Sequence, residues 1–206
     1  SLVFRAGSGD TARLHRKLRD ERVATPMAGT EGAISPFFSP DGAWVGFMTT
    51  SGDLRKVPAE GGGSVPLAGA VENAHFSAAW MDDGRIVFAD GENELRQVDE
   101  NGGGDSVLRS LGTVILSHLW PLPGSKGVLI NACRMPCATF PVYVHEFGRD
   151  SLRQIIDDAR GVWYSPSGHL LYVGPGGGLF AIAFDPDRLE TTGGALPVVE
   201  GIPPFG

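Results

Sequence analysis

The sequence predicts an all-β fold of repeated four-stranded antiparallel sheets, and three observations lead there. An aromatic residue stands four positions before a turn glycine in four places: Phe38 and Gly42, Trp80 and Gly84, Trp120 and Gly124, Tyr164 and Gly168. The aromatics are spaced by 42, 40 and 44 residues. Each of these turns is followed by a short run of β-formers, then an alternating run, then a turn that is most often glycine-rich. Long apolar patterns with the 3.6-residue period are missing, which argues against a helical solenoid. A unit of about 40 to 45 residues made of short strands is the pattern of a β-propeller, one blade per unit.

The stretch 36–62, PFFSPDGAWVGFMTTSGDLRKVPAEGG, shows the unit in full. The runs after the aromatic turns, 44–48, 85–89, 128–132 and 170–173, are nearly continuous in apolar residues. Strands covered on both faces by neighbouring blades need that composition. Alternating strands then begin at Leu54, Leu95, Val142 and Leu179, and glycines at 61–63, 102–104 and 193–194 predict the next hairpin turns, before outer strands such as 64–67 and 195–199. The first unit starts partway through: residues 2–4 match 86–88 at an offset of 84, and 14–18 stand where Leu54 and Leu95 stand. Its innermost strand is therefore missing, and the tail from Glu200 to Phe205 echoes the segment from Glu31 to Phe37. Either the tail supplies that strand and closes the ring, removing two open sheet edges, or the chain is a segment of a larger propeller. The expected blades are about 1–30 with the tail 201–206, 31–70, 71–112, 113–158 and 159–200, in a single domain spanning 1–206.

Composition narrows the function. The 206 residues include 30 Gly and 15 Pro, a surplus that means many tight turns, and the formal net charge of -7 gives no support to a nucleic-acid surface. No run of about 18 apolar residues predicts a membrane-spanning helix, and no basic region followed by an apolar core opens the chain. The first residues already form an apolar strand, as expected of a piece of a longer protein. Cys133 and Cys137, four apart, form either a disulfide in an oxidising compartment or two free thiols; a structural zinc site would need a second pair.

The Ser39-Pro40-Asp41-Gly42 turn resembles that of the TolB-like or PD40 (WD40-like) propellers. The resemblance is closer still to propellers C-terminal to bacterial membrane-anchored Ser/Thr protein kinases. It rests on LHRKLRDERVATPMAGTEGA (14–33), PFFSPDGAWVGFM (36–48), LRKVPAEGG (54–62) and GHLLYVGPGGGLFAIAFDPDRLETTGGALPVVEG (168–201). The blade at 113–158 departs from the pattern, with PLPGSKG in place of the usual turn. The resemblance implies an extracytoplasmic, periplasmic or extracellular sensing or interaction domain of a bacterial protein whose parent chain is membrane-anchored. The kinase motifs themselves, a phosphate loop, H-R-D and D-F-G, are absent.

Candidate chemistry is sparse. Asp41 and Asp83 are expected to bond their own turns, and GPGGG at 174–178 reads as a hairpin turn, since no Lys-Ser/Thr and no helix follow it. The five histidines, His15, His75, His118, His145 and His169, do not cluster at metal-ligand spacing. Segments joining an outer strand to the next inner strand gather at one mouth of a propeller, and here they carry Glu31, Glu72, Asp157, Asp158 and Glu200, with Asn73, His75 and Arg160 nearby. Such an acidic rim suits a cation or a basic group, calcium being the metal that oxygen ligands favour. Two readings follow. One is a non-catalytic binding or sensing module for a protein or small-molecule ligand. The other is a calcium-assisted hydrolase, a lactonase or esterase, using the rim to activate water.

Overall fold

The computed structural model describes residues 1–69, 77–90, 94–149 and 151–200. Those residues form five antiparallel sheets, in two compact units, Ser1–Leu111 and Gly112–Gly206.

The first unit holds three sheets. β1 (Leu2–Ala6), β2 (Arg13–Lys17) and β3 (Thr25–Pro26) form a three-stranded sheet. β4 (Ala33–Phe38), β5 (Trp44–Thr49), β6 (Leu54–Pro58) and β7 (Val65–Ala68) form the second sheet. β8 (Ala78–Trp80), β9 (Arg85–Ala89), β10 (Glu94–Asp99) and β11 (Ser106–Ser110) form the third. The second unit holds β12 (Val114–Pro121), β13 (Gly127–Arg134), β14 (Val142–Glu146) and β15 (Ser151–Ile156), then β16 (Val162–Ser165), β17 (His169–Val173), β18 (Leu179–Asp185) and β19 (Glu190–Val199). In the four-stranded sheets every strand pairs with its neighbour in sequence, the up-and-down order of propeller blades. The first sheet has three strands among the described residues, as its sequence predicts. The tail expected to complete it, 201–206, lies outside them.

The apolar runs are continuous because each inner strand serves two cores. On β5, Val45 and Phe47 pack with Leu14, Ala33 and Val57 toward the first sheet, while Met48 and Trp44 pack with Trp80, Ile86 and Phe88 toward the third. Phe47 and Met48 are both fully buried, each burial stabilising the fold by about 1.5–3 kcal/mol. In the second unit, Leu129, Val142 and Val144 meet Val162, Leu170 and Phe184 in one core between its two sheets.

The turns follow the aromatic rule. Gly42, Gly84, Gly124 and Gly168 all adopt left-handed backbone, with φ of 70°, 85°, 68° and 78°. Gly124 does so within the divergent PLPGSKG segment, which makes a single 3-10 turn. Asp41 Oδ1 accepts the amide of Ala43 at 3.0 Å, and Asp83 Oδ1 accepts that of Arg85 at 3.1 Å, so both aspartates lock their hairpins as expected. The hydroxyl of Ser39, then the Ala43 amide, hold the Asp41 carboxyl below its ordinary value.

One turn is misplaced by the sequence reading. Gly193 and Gly194 were expected to form the last hairpin turn, but they lie inside β19, where Gly193 (φ 76°) falls at a register shift against β18. The chain reverses earlier because Asp185 Oδ1 accepts the amides of Asp187 and Arg188 at 2.8 and 3.1 Å, closing a turn that ends at Leu189 in left-handed backbone (φ 57°).

Candidate functional site

In the second unit the connections after β13 and β17, and that joining β15 to β16, leave from one end of their sheets. Together with β12 they enclose a cavity of about 450 Å³ lined by Ser117, Asn131, Phe140, Arg160, Val173, Gly174, Pro175 and Gly177. Arg160, one of the predicted rim residues, is the ionisable member of this lining.

Asn131 holds the cavity together. It interrupts the apolar run of β13 and is 1% exposed. Its Nδ2 donates to the carbonyls of Phe140, Pro141 and Ala159 at 2.9, 3.2 and 3.2 Å, so one amide ties β13 to two connections. Its Oδ1 accepts the Ser117 hydroxyl at 3.1 Å, and that hydroxyl also donates to the Asn131 carbonyl at 2.9 Å. Ser117 reaches it because β12 slips register between Leu116 and His118, placing the serine outside the ladder.

The connection carrying Phe140 is anchored at both ends. Its amide donates to Asp158 Oδ1 at 2.8 Å, and its carbonyl accepts the amide of Ala159 at 2.9 Å. At the other end Cys133 and Cys137 form a disulfide. The Arg160 amide donates to the Val173 carbonyl at 2.7 Å, and its guanidinium lies 4.5 Å from the centre of the Phe140 ring. Among the described residues that side chain makes no hydrogen bond or ion pair, so its donors are open to a ligand. An apolar cavity with an arginine edge at its border suits a carboxylate attached to an apolar body.

The other predicted residues have separate settings. Asp157 Oδ1 accepts Gln154 Nε2 at 2.9 Å on the loop shared with Asp158 and Arg160. Glu200 is exposed just beyond β19. Glu31, in the first unit, pairs with Arg13 at 3.2 Å, both side chains half-exposed. Glu72, Asn73 and His75 lie outside the described residues. Among the described residues no three His, Cys, Asp or Glu side chains stand together as a metal site. His118 packs between Trp120 and Trp163, each about 6.0 Å away, its Nε2 buried without a hydrogen-bond partner and its pKa pushed down by burial.

Ser117, Asn131 and Phe140 were not foreseen. A signal for Asn131 was present, since an amide within a strand covered on both faces is the anomaly that marks a buried polar role. Phe140 had no such signal.

No family model and no curated protein matches the chain. Solved structures do. TolB from Acinetobacter baumannii matches with a TM-score of 0.73 at 13% identity, covering 93% of this chain and 49% of that one. The fold is a β-propeller. Regucalcin from Agrobacterium tumefaciens, described as a calcium-binding protein, matches this propeller with a TM-score of 0.61 at 17% identity, over 84% of this chain and 60% of its own. Dihydro-heme d1 dehydrogenase NirN matches with a TM-score of 0.62 at 18% identity, over 98% and 44%. The propeller chain thus spans about half the length of the solved structures it matches. Among the described residues no helix is long and apolar enough to cross a membrane.

Proposed function

We propose that the chain is one propeller domain of a larger bacterial protein, acting outside the cytoplasm as a non-catalytic module that binds a protein or small-molecule ligand. The observation that carries this reading is the cavity beside Arg160. Its lining offers apolar surface, and its ionisable side chain is a guanidinium, which binds carboxylates and does not take up a proton. The Cys133–Cys137 disulfide supports an oxidising compartment, as does the resemblance to propellers of membrane-anchored kinases. The ligand suited to the site carries a free carboxylate on an apolar end, such as the C-terminus of a peptide.

Isothermal titration with N-acetyl-Ala-Leu as the free acid, and with its C-terminal amide, tests the reading. The acid is expected to bind saturably and the amide at least about tenfold more weakly, with Arg160→Ala reducing acid binding to the level of the amide. Equal behaviour of acid and amide, no saturable binding, or an Arg160→Ala protein that binds like the parent would overturn it.

A further inference from the structure

A separate cavity of about 480 Å³ lies in the first unit, at the ends of β4, β8 and β10, bordered by the turns after those strands. Ser39 and Asp41 come from one turn, Asp82 and Asp83 from the next, and Glu100 from the third, with Lys56 and Trp44 completing the wall. Lys56 is the unusual member. It sits on β6 opposite Gly46 of β5, 7% exposed, with its Nζ 4.5 Å from the centre of the Trp44 ring and 5.8 Å from that of Trp80.

The indole faces offset part of the desolvation of the ammonium but do not replace oxygen acceptors for its three N–H groups. Among the described residues the Lys56 side chain makes no hydrogen bond and no ion pair. The carboxylates nearby have other partners. Glu100 Oε2 accepts the indole N–H of Trp80 at 3.1 Å, and Asp41 Oδ1 accepts the Ser39 hydroxyl at 2.6 Å and the Ala43 amide at 3.0 Å. Asp83 Oδ2 accepts Arg85 Nε at 3.0 Å. The cavity therefore presents the Lys56 ammonium, which has no protein acceptor among the described residues, at its wall and negative charge at its border. An anion alone would meet repulsion from the border, and a cation alone would leave the ammonium unfilled.

We propose that this cavity binds a small zwitterion of the α-amino-acid class, its carboxylate accepting from Lys56 Nζ and its cationic end lying among Asp82, Asp83 and Glu100. The site goes beyond the function proposed above and shares no residue with it.

L-Arginine is the probe, since its side chain separates carboxylate from guanidinium, and titration calorimetry with the whole chain is the readout. L-Arginine is expected to bind saturably. L-Argininamide, acetate and guanidinium are each expected to bind at least about tenfold more weakly. Lys56→Met, which keeps the buried stem, is expected to lose L-arginine binding, and Asp82→Asn to weaken it several-fold. The argininamide comparison uses the unmodified chain, so it decides the matter even if Lys56→Met does not fold. The proposal is overturned by no saturable binding of L-arginine, by argininamide or guanidinium binding as tightly as L-arginine, or by a folded Lys56→Met protein with unchanged affinity. N-acetyl-Ala-Leu, which has no cationic end, is not expected to compete with L-arginine, so each cavity is judged by its own titration.

Discussion

Gly127 opens β13 opposite Glu146 of β14, and a Cβ there would collide with the backbone oxygen of His145. Backbone cannot retreat as a flexible side chain can, so Gly127→Ala is expected to destabilise the second unit by about 1–3 kcal/mol, read as a lower urea midpoint. His118 is a second residue with a legible cost. Burial between two tryptophans lowers its folded pKa below the ordinary 6.5, so the unfolded chain binds the proton more readily. Its contribution to stability is therefore complete above pH 6.5 and is lost as pH falls from there toward the folded value. Replacing it with phenylalanine is expected to flatten the decline in melting temperature between about pH 7 and pH 5, where a single proton accounts for at most about 1.4 kcal/mol per pH unit. A parallel decline in both proteins would show that His118 is not the group responsible.

At the scale of elements, the connection from β13 to β14 is where covalent and hydrogen-bonded restraint meet. The disulfide spans a sequence separation of four, and closing so short a loop stabilises the fold by about 2 kcal/mol in the chain-entropy account. Cys133→Ser with Cys137→Ser is expected to lower unfolding free energy by no more than that. The same variant is expected to weaken binding of N-acetyl-Ala-Leu several-fold, because Phe140, on which Arg160 stacks, belongs to this connection. Unchanged affinity would mean that Asn131 and Asp158 hold the connection unaided. This is also the scale at which sequence reading succeeded and then stopped. The period of aromatics and turn glycines made the two middle strands of all four complete sheets legible, because each turn must repeat the same local chemistry. The Asp185 turn was missed because a conspicuous glycine pair outweighed a quieter aspartate. The cavity itself was not legible, although Arg160 was singled out, because Ser117, Asn131, Phe140 and Arg160 come from different strands and loops whose meeting depends on packing, which no spacing encodes.

For the molecule as a whole, net charge of -7 and the acidic connections invite the thought of calcium. Three of the four described rim carboxylates have protein partners: Glu31 has Arg13, Asp157 has Gln154, and Asp158 has the Phe140 amide. Millimolar calcium is accordingly expected to shift the melting temperature no more than the same concentration of magnesium. A calcium-specific rise of several degrees, removed by Glu31→Gln with Glu72→Gln, would revive the hydrolase alternative.

The last strand carries one further consequence. β19 borders its sheet for ten residues, with Leu196, Val198 and Val199 from 47% to 68% exposed, the kind of margin to which another polypeptide can add itself. Pro197 stands in the middle of that greasy margin and has no N–H to offer, and Pro66 stands likewise in β7. The prolines act as gatekeepers, leaving the rim short of the unbroken donor row that fibrous self-association requires.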